Sequence, residues 1–142
     1  MAPERADSSM QEIVVEGLPD PPRFGSPTAL AIRAGQQIFI SGTLAWDADR
    51  KLVGVGDVEV QTRHILDAMA AILRTQGASL RDIVKINFFL TDIRDKERIW
   101  AVRREMFGDH RPASTLVEVS QLVDTEAKLE VEAIALVPPS RP

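Results

Sequence analysis

Cysteine is missing from this sequence of 142 residues, and histidine occurs only twice, as His64 and His110. Without cysteine the chain forms no disulfide, uses no thiolate nucleophile and builds no cysteine-based zinc site. Two histidines are too few for most metal sites, and we interpret both as solvated side chains rather than as catalysts. We therefore expect neither a metal nor a cofactor.

Long apolar runs and an excess of positive charge are missing as well. No apolar run approaches the ~20 residues that span a bilayer, and the polar first ten residues lack the apolar core of a signal peptide. Seventeen basic and 21 acidic residues give a net charge of −4, which provides no general attraction to nucleic-acid phosphates. We therefore expect a soluble, cytoplasmic protein that binds neither membranes nor nucleic acid.

The residues that are present have the composition of an ordinary globular domain. Hydrophobic residues make up 44% of the chain and charged residues 27%, which is typical of a soluble protein. The length suits one domain with one core, since domains commonly have about 100–150 residues. We predict a disordered lead-in over residues 1–10 and a single domain over residues 11–142.

The pattern of apolar residues predicts six strands and two helices. Period-2 alternation or short apolar runs indicate the strands, and helical spacing indicates the helices. Asp57 and Asp95 are placed to cap the helices, while Gly77 and Gly108 are placed to end them. The predicted strands cover 11–16, 28–32, 37–41, 83–91, 115–120 and 128–135, and the predicted helices cover 57–76 and 95–107. This order predicts an α+β domain with two helices on one face of a mixed sheet.

The last two predicted strands lie in the stretch RPASTLVEVSQLVDTEAKLEVEAIA, residues 111–135. A polar turn at Asp124 and Thr125 separates two period-2 alternations. The second alternation places Leu129, Val131 and the alanines that follow on one face and mostly charged residues on the other. Because few residues separate the two strands, we predict that they pair as a hairpin.

One face of the predicted sheet carries charges among apolar residues. Two helices can cover only one face of six strands, and Lys85, Glu118, Glu130 and Glu132 interrupt strands rich in Ile, Val and Phe. Such charges are costly in a dry core, so they suggest a wet surface that is buried between subunits. We predict that other copies of the chain cover this face.

The stretch from about Pro27 to Val137 resembles the RidA (YjgF) family of small trimeric enamine/imine deaminases. The resemblance is carried by IFISG at residues 38–42, GASLRDIVKINFFLTD at 77–92 and the Pro-Ala and VEAIA segments of the final stretch. It implies a chorismate-mutase-like, RidA-type fold with a six-stranded mixed sheet. It also implies a homotrimer with a central barrel and small-molecule clefts between subunits.

The resemblance assigns the water-handling catalytic residue to Glu130. Desolvation in a partly dry interface would raise the pKa of this carboxyl, as suits a general base. An ion-paired strand residue is the alternative interpretation of Glu130. The family motif also has an arginine that grips the substrate carboxylate, and Ser114 stands at that position here. Serine makes no bidentate grip on a carboxylate, so we expect the usual short 2-iminoacid substrates to bind poorly.

Further substrate-binding positions are predicted, Gly42 and Arg111 from the residues themselves and the others from the same resemblance. They are Thr28, where the family has a tyrosine, Gly42, Phe89, Trp100, where the family has an asparagine, Arg111, Ser114 and Leu116. Gly42 would let a ligand approach the backbone closely. Trp100 either stacks on a flat ligand or fills the subunit interface. Arg111 either reaches the cleft or is a solvated loop residue.

Two functions from different classes fit these residues. The first is a hydrolase that deaminates a small enamine or imine other than the usual short 2-iminoacid. The second is a non-catalytic small-molecule-binding or accessory trimer that kept its clefts. Glu130 and Gly42 favour the hydrolase, whereas Ser114 favours the binding protein.

Overall fold

The computed structural model describes residues 10–139, which contain the predicted succession of strands and helices. The predicted lead-in over residues 1–10 lies outside these residues except for Met10, which begins the first strand. The strands are β1 (Met10–Ile13), β2 (Ala31–Ala34), β3 (Gln37–Thr43), β4 (Ile83–Leu90), β5 (Ala113–Glu118) and β6 (Leu129–Leu136), and the helices are α1 (Val58–Arg74) and α2 (Lys96–Phe107).

The six strands form one mixed sheet in the order β1-β2-β3-β6-β4-β5. Strands β4 and β5 are parallel, and every other neighbouring pair is antiparallel. Both helices pack against the sheet and contribute to a single core. The predicted α+β class and two-helix, six-strand architecture are therefore confirmed.

The predicted hairpin between the last two strands is wrong. Strand β5 pairs only with β4, whereas β6 lies between β3 and β4. The ten residues from Val119 to Lys128 are too many for a tight hairpin turn, and α2 provides the crossover that a parallel β4–β5 pair requires. The strand that is apolar along one whole face, β6, therefore takes an interior position, and β5 lies at the edge.

The core lies on the helix side of the sheet. Along β6 the burial alternates strictly, so that Leu129, Val131, Ala133 and Ala135 are buried and the residues between them are not. The register places buried residues of β4 beside them, for example Phe88 opposite Val131. This alternation agrees with the period-2 pattern of the sequence.

The two helices begin differently. The side chain of Asp57 accepts hydrogen bonds from the backbone N–H groups of Glu59 and Val60, both at 3.1 Å, so the predicted cap of α1 is confirmed. Asp95 precedes α2 but makes no side-chain capping bond, so that prediction is wrong. A 3-10 turn, Ile93–Asp95, runs directly into α2 and keeps Asp95 in a helical conformation rather than the extended one that a cap requires.

The other side of the sheet, which we call the open face, is not covered by either helix. It carries Phe39 of β3, Phe89 of β4, Val117 of β5, and Glu130 and Ile134 of β6, which are neighbours in the sheet register. Phe39 and Val117 are each 40% exposed. The open face thus combines large apolar side chains with carboxylates.

Candidate functional site

Glu130 lies on the open face of the central strand β6. Its partner across the β4–β6 pair is Phe89. On the other side the β3–β6 register is irregular between Ile40 and Thr43. The bulge contains Gly42, and the Glu130 side chain lies directly over it.

Gly42 leaves the room that this side chain needs. A Cβ at Gly42 would lie 2.9 Å from Cδ and 3.3 Å from Cγ of Glu130, and closer still to Oε1. The φ angle of Gly42 is not in the left-handed region, so the glycine serves close approach rather than backbone conformation. Within the chain, the group that approaches Gly42 is the Glu130 carboxylate.

The electrostatic environment of Glu130 favours its neutral form. Burial raises the pKa of the half-buried Glu130 carboxyl above its ordinary value of 4.5, and the nearby Glu132 carboxylate raises it further. Within residues 10–139 no hydrogen-bond donor or cation pairs with the Glu130 carboxylate. A carboxyl group with a raised pKa and no protein partner is suited to exchanging protons with a ligand or water.

Glu130 borders a cavity of about 350 Å³, which we call the Glu130 cleft. Polar groups line it at Thr28, Ser41 and Arg50, beside Gly42 and Glu130. Aliphatic side chains form much of the rest, namely Leu18, Leu30, Leu44 and Ile72. Its volume lies at the lower end of the range for small-molecule sites, about 300–1,000 Å³.

The outer wall of the Glu130 cleft is held by two side chains. Trp46 donates from Nε1 to Oδ2 of Asp124 at 2.7 Å, which ties the loop after β3 to the connector between β5 and β6. The amide of Gln61 on α1 is completely buried. It donates to the carbonyl of Gly54 at 3.0 Å and accepts from the backbone N–H of Lys128 at 2.8 Å. These bonds position the start of β6, and therefore Glu130.

A second cavity, of about 450 Å³, lies between α2 and the loop before β5. We call it the arginine cleft, because Arg103, Arg104 and Arg111 line it together with Trp100 and Phe107. It has an aromatic wall and a positive charge, which suits a flat or anionic ligand.

Arg103 occupies the surroundings of Ser114. It donates from Nη1 to Oγ of Ser114 at 3.0 Å, and its guanidinium carbon lies 4.6 Å from the ring centroid of Phe88. Burial lowers the pKa of Arg103, although an arginine remains charged at neutral pH. A guanidinium group therefore lies beside Ser114 but belongs to the helix rather than the strand.

The predicted site residues fall into separate groups within one chain. Thr28, Gly42 and Glu130 line the Glu130 cleft, and Phe89 is the strand neighbour of Glu130. Trp100 and Arg111 line the arginine cleft, and Ser114 contacts it through Arg103. The side chain of Leu116 packs against the core instead of lining either cleft.

Both histidines differ from the solvated side chains that we predicted. His64 is partly buried with Nε2 at 3.0 Å from the carbonyl oxygen of Trp46, and His110 donates from Nε2 to the carbonyl of Ile83 at 2.7 Å. His110 also stacks on Phe107. Both rings therefore fasten loops to the backbone.

Arg50 and Arg103 line these clefts but were not predicted from the sequence, and neither was Gln61, which supports the Glu130 cleft from within the core. Arg103 follows Trp100 by three residues and precedes Phe107 by four, so helical spacing could have placed it on the same face of α2. Nothing in the local pattern marks Arg50 or Gln61, because their neighbours come from distant parts of the chain.

The residues that the structure describes form neither a metal-ligand cluster nor a membrane-spanning helix. No three histidine, aspartate or glutamate side chains among them converge to hold a metal ion. None of the helices between residues 10 and 139 is both long and apolar enough to cross a membrane.

The family model described as endoribonuclease L-PSP matches residues 25–137. The chain belongs to the RidA (YjgF) family. The family resemblance found in the sequence is therefore confirmed, and it covers the arginine cleft and all of the Glu130 cleft except Leu18, Pro19 and Pro21.

Relatives in the family carry different names. The 3-aminoacrylate deaminase RutC of Acinetobacter baylyi is 37% identical over 123 residues, which are 87% of this chain and 94% of the relative. The structure of RidA from the Antarctic bacterium Psychrobacter sp. has a TM-score of 0.81 and 26% identity over 89% of this chain and 99% of that one. The structure of E. coli TdcF with bound serine has a TM-score of 0.79 and 29% identity over 89% and 98%.

Proposed function

We propose that this protein is a hydrolase that deaminates a small enamine or imine in the Glu130 cleft. The observation that carries the proposal is the state of Glu130. Its carboxyl group is half-buried, has a raised pKa, lacks a protein partner among residues 10–139 and borders a cavity of metabolite size. The deaminase named among its relatives supports the same reaction class.

In the proposed reaction, water adds to the carbon of the C=N bond. Glu130 accepts a proton from the water and gives it to the nitrogen, so that the carbon carries a hydroxyl and an amino group. Glu130 then transfers the hydroxyl proton to the nitrogen, the C–N bond breaks, ammonia leaves and the carbon becomes a carbonyl. An enamine first gains a proton at carbon and loses one from nitrogen, which converts it to the imine. Carboxylates that exchange protons in this way work best with a pKa near the working pH, which the burial of Glu130 favours.

The substrate differs from the usual short 2-iminoacid in this proposal. Ser114 provides no bidentate grip, and losing a charge-assisted pair at a binding site costs roughly 2–4 kcal/mol when nothing replaces it. Its hydroxyl already accepts a hydrogen bond from Arg103. A carboxylate placed beside Ser114 would therefore meet a different cation on a different element.

We further infer a homotrimer in which the open faces form a central barrel and the clefts lie between subunits. The exposed Phe39 and Val117 on the open face support association, because monomers seldom leave contiguous apolar surface uncovered. The separation of the Glu130 cleft from the arginine cleft supports it too. A neighbouring copy is the natural way to bring the two groups of predicted site residues together.

Glu130→Gln tests the hydrolase. The amide keeps the shape and hydrogen bonding of the side chain but removes its basicity, so kcat for ammonia release should fall by ~10²-fold or more with little change in ligand affinity. Glu132→Gln is the matched control, because Glu132 lies two residues along the same strand and outside the cleft. It removes only the smaller of the two causes that raise the pKa of Glu130, so it should lower kcat far less than Glu130→Gln does.

A non-catalytic small-molecule-binding trimer is the second candidate. Ser114 favours it, and so does the serine bound in the structure of TdcF. Unchanged turnover of a genuine substrate in Glu130→Gln would exclude Glu130 as the base and favour this second function.

A further inference from the structure

Arg50 adopts a backbone conformation that side chains disfavour. Its φ angle of +58° is the only positive value at a non-glycine position among residues 10–139. The turn around it is closed by Asp47, whose Oδ1 accepts from the backbone N–H groups of Asp49 and Lys51, both at 2.9 Å. Residues held in the left-handed region are common at ligand sites, where the position of the side chain matters more than the local strain.

Two aromatic rings hold the side chain of Arg50. Its guanidinium carbon lies 4.6 Å from the ring centroid of Phe24 and 4.6 Å from that of Trp46. Trp46 is itself fixed by its bond to Asp124. A guanidinium that has aromatic neighbours on two sides is oriented before any ligand arrives.

The donors of Arg50 have no acceptor in the part of the chain that the structure describes. Its Nε is buried and without a hydrogen-bond partner, and no carboxylate pairs with its guanidinium. The neighbouring Arg23 also lies near the Phe24 ring, at 5.2 Å, but it is exposed and pairs with Asp49 at 3.2 Å. Buried donors without acceptors are rare in folded proteins, and a bound anion is one explanation for them.

Arg50 and Glu130 line the same cavity of about 350 Å³. The Glu130 cleft thus contains one unpaired cation and one unpaired carboxyl group together with aliphatic walls. We propose that Arg50 binds an anionic group, a carboxylate, of a small ligand whose apolar body lies along these walls. The proposal rests on the proposed function for the identity of the Glu130 cleft as the ligand site. It makes Arg50 the residue that determines specificity for acids in a chain with Ser114 at the position of the family's arginine.

Binding of isovalerate and isovaleramide tests this role. The two probes share a branched aliphatic body and differ in charge, and neither is hydrolysed by a deaminase. Titration calorimetry on the full chain should show that isovalerate binds at least tenfold more tightly than isovaleramide, as expected for charge-assisted hydrogen bonds. Arg50→Asn should abolish this preference, because asparagine tolerates the left-handed conformation but has no guanidinium. Arg50→Lys should keep part of it, since lysine retains the charge without the planar fork.

Arg23→Gln is the matched control and should bind both probes like the wild type. Equal loss of isovalerate binding in Arg23→Gln and Arg50→Asn would overturn the proposal, because it would indicate a general effect of positive charge. So would a large fall in the melting temperature of Arg50→Asn with the preference for isovalerate intact, since Arg50 would then serve only to join the two rings. We expect instead only a small change in the melting temperature, because asparagine relieves the strain at position 50 while the two ring contacts are lost.

The experiments distinguish failure of the anion site at Arg50 from failure of the proposed deaminase reaction. Isovalerate binding that depends on Arg50 in a protein without turnover would leave the anion site in place and refute the deaminase. Turnover of an enamine by a protein whose isovalerate binding is unchanged by Arg50→Asn would refute the anion site and leave the deaminase in place.

Discussion

The glycine beneath Glu130 provides a direct test of how the carboxylate is positioned. In Gly42→Ala the new Cβ would lie 2.9 Å from Cδ of Glu130. Non-bonded carbon atoms pack at about 3.5–4.0 Å, so the carboxyl group must move by roughly 1 Å. Alanine is compatible with the backbone at this position, because φ is not in the left-handed region. The effect of the substitution therefore falls on Glu130.

We expect a small loss of stability and a large loss of activity in Gly42→Ala. A side chain moved off its preferred rotamer costs about 0.5–1.5 kcal/mol, and this is the expected fall in the free energy of unfolding by denaturant titration. A misplacement of about 1 Å in a catalytic group can lower the rate about 10²-fold. We expect that decrease in kcat/KM for ammonia release from the best enamine or imine substrate.

Glu130→Ala provides the control background. In Glu130→Ala the three atoms nearest to the new Cβ are removed, so Gly42→Ala should cost much less stability when added to Glu130→Ala. Full activity in Gly42→Ala would refute the reasoning, because the carboxylate would then work equally well from a displaced position. A stability loss that persists in the Glu130→Ala background would refute it too, since the strain would then lie in the backbone.

Three further predictions follow from the charges and surfaces of the fold. The pKa of Glu130 is higher in the folded than in the unfolded chain, so the folded state is destabilised as pH rises from about 4.5 through the raised value. The melting temperature of Glu130→Gln should therefore increase relative to that of the wild type over this pH range. A constant difference between the two melting temperatures would contradict the pKa shift. Turnover of 2-iminopropionate should be weak compared with a family enzyme that has the motif arginine. Ser114→Arg should increase this turnover more when it is combined with Arg103→Gln, because Arg103 already occupies the space beside Ser114. If the wild-type protein and the family enzyme had equal kcat/KM, another cation would be sufficient to bind the substrate. Light scattering should give a mass near three chains of 15.7 kDa, and a mass near one chain would remove the support for clefts between subunits.

The local sequence pattern predicted the strands and helices because the pattern of each one lies in consecutive residues. The alternation in β6 is visible in the sequence from Leu129 to Ala135 and appears unchanged in the burial of the strand. The cap of α1 is equally local, since Asp57 bonds to residues two and three positions away. Strand pairing is not local, and the sequence separation of β5 and β6 suggested a hairpin that the fold does not form.

The candidate site likewise combines residues that local motifs predict with contacts that form only on folding. Glu130 and Gly42 were identified through motifs of the family, and their close approach depends on a bulge in β3 that no pattern predicts. Arg50 gave no signal, because Phe24 and Trp46 reach it from two separate loops. Gln61 likewise depends on carbonyl and amide groups that come close only after folding.

The interior position of β6 affects how the chain can fold. The chain divides into two segments, β1-β2-β3-α1 and β4-α2-β5-β6, and each would be expected to fold by itself if its contacts were internal. However, β6 lies between β3 of the first segment and β4 of the second, and β6 is the last strand along the chain. Ile38 pairs with Ala135, so closing the sheet requires ordering nearly the whole chain, and contacts this distant slow folding. We expect the domain to fold as one cooperative unit, in which the strand that carries Glu130 also joins the two segments.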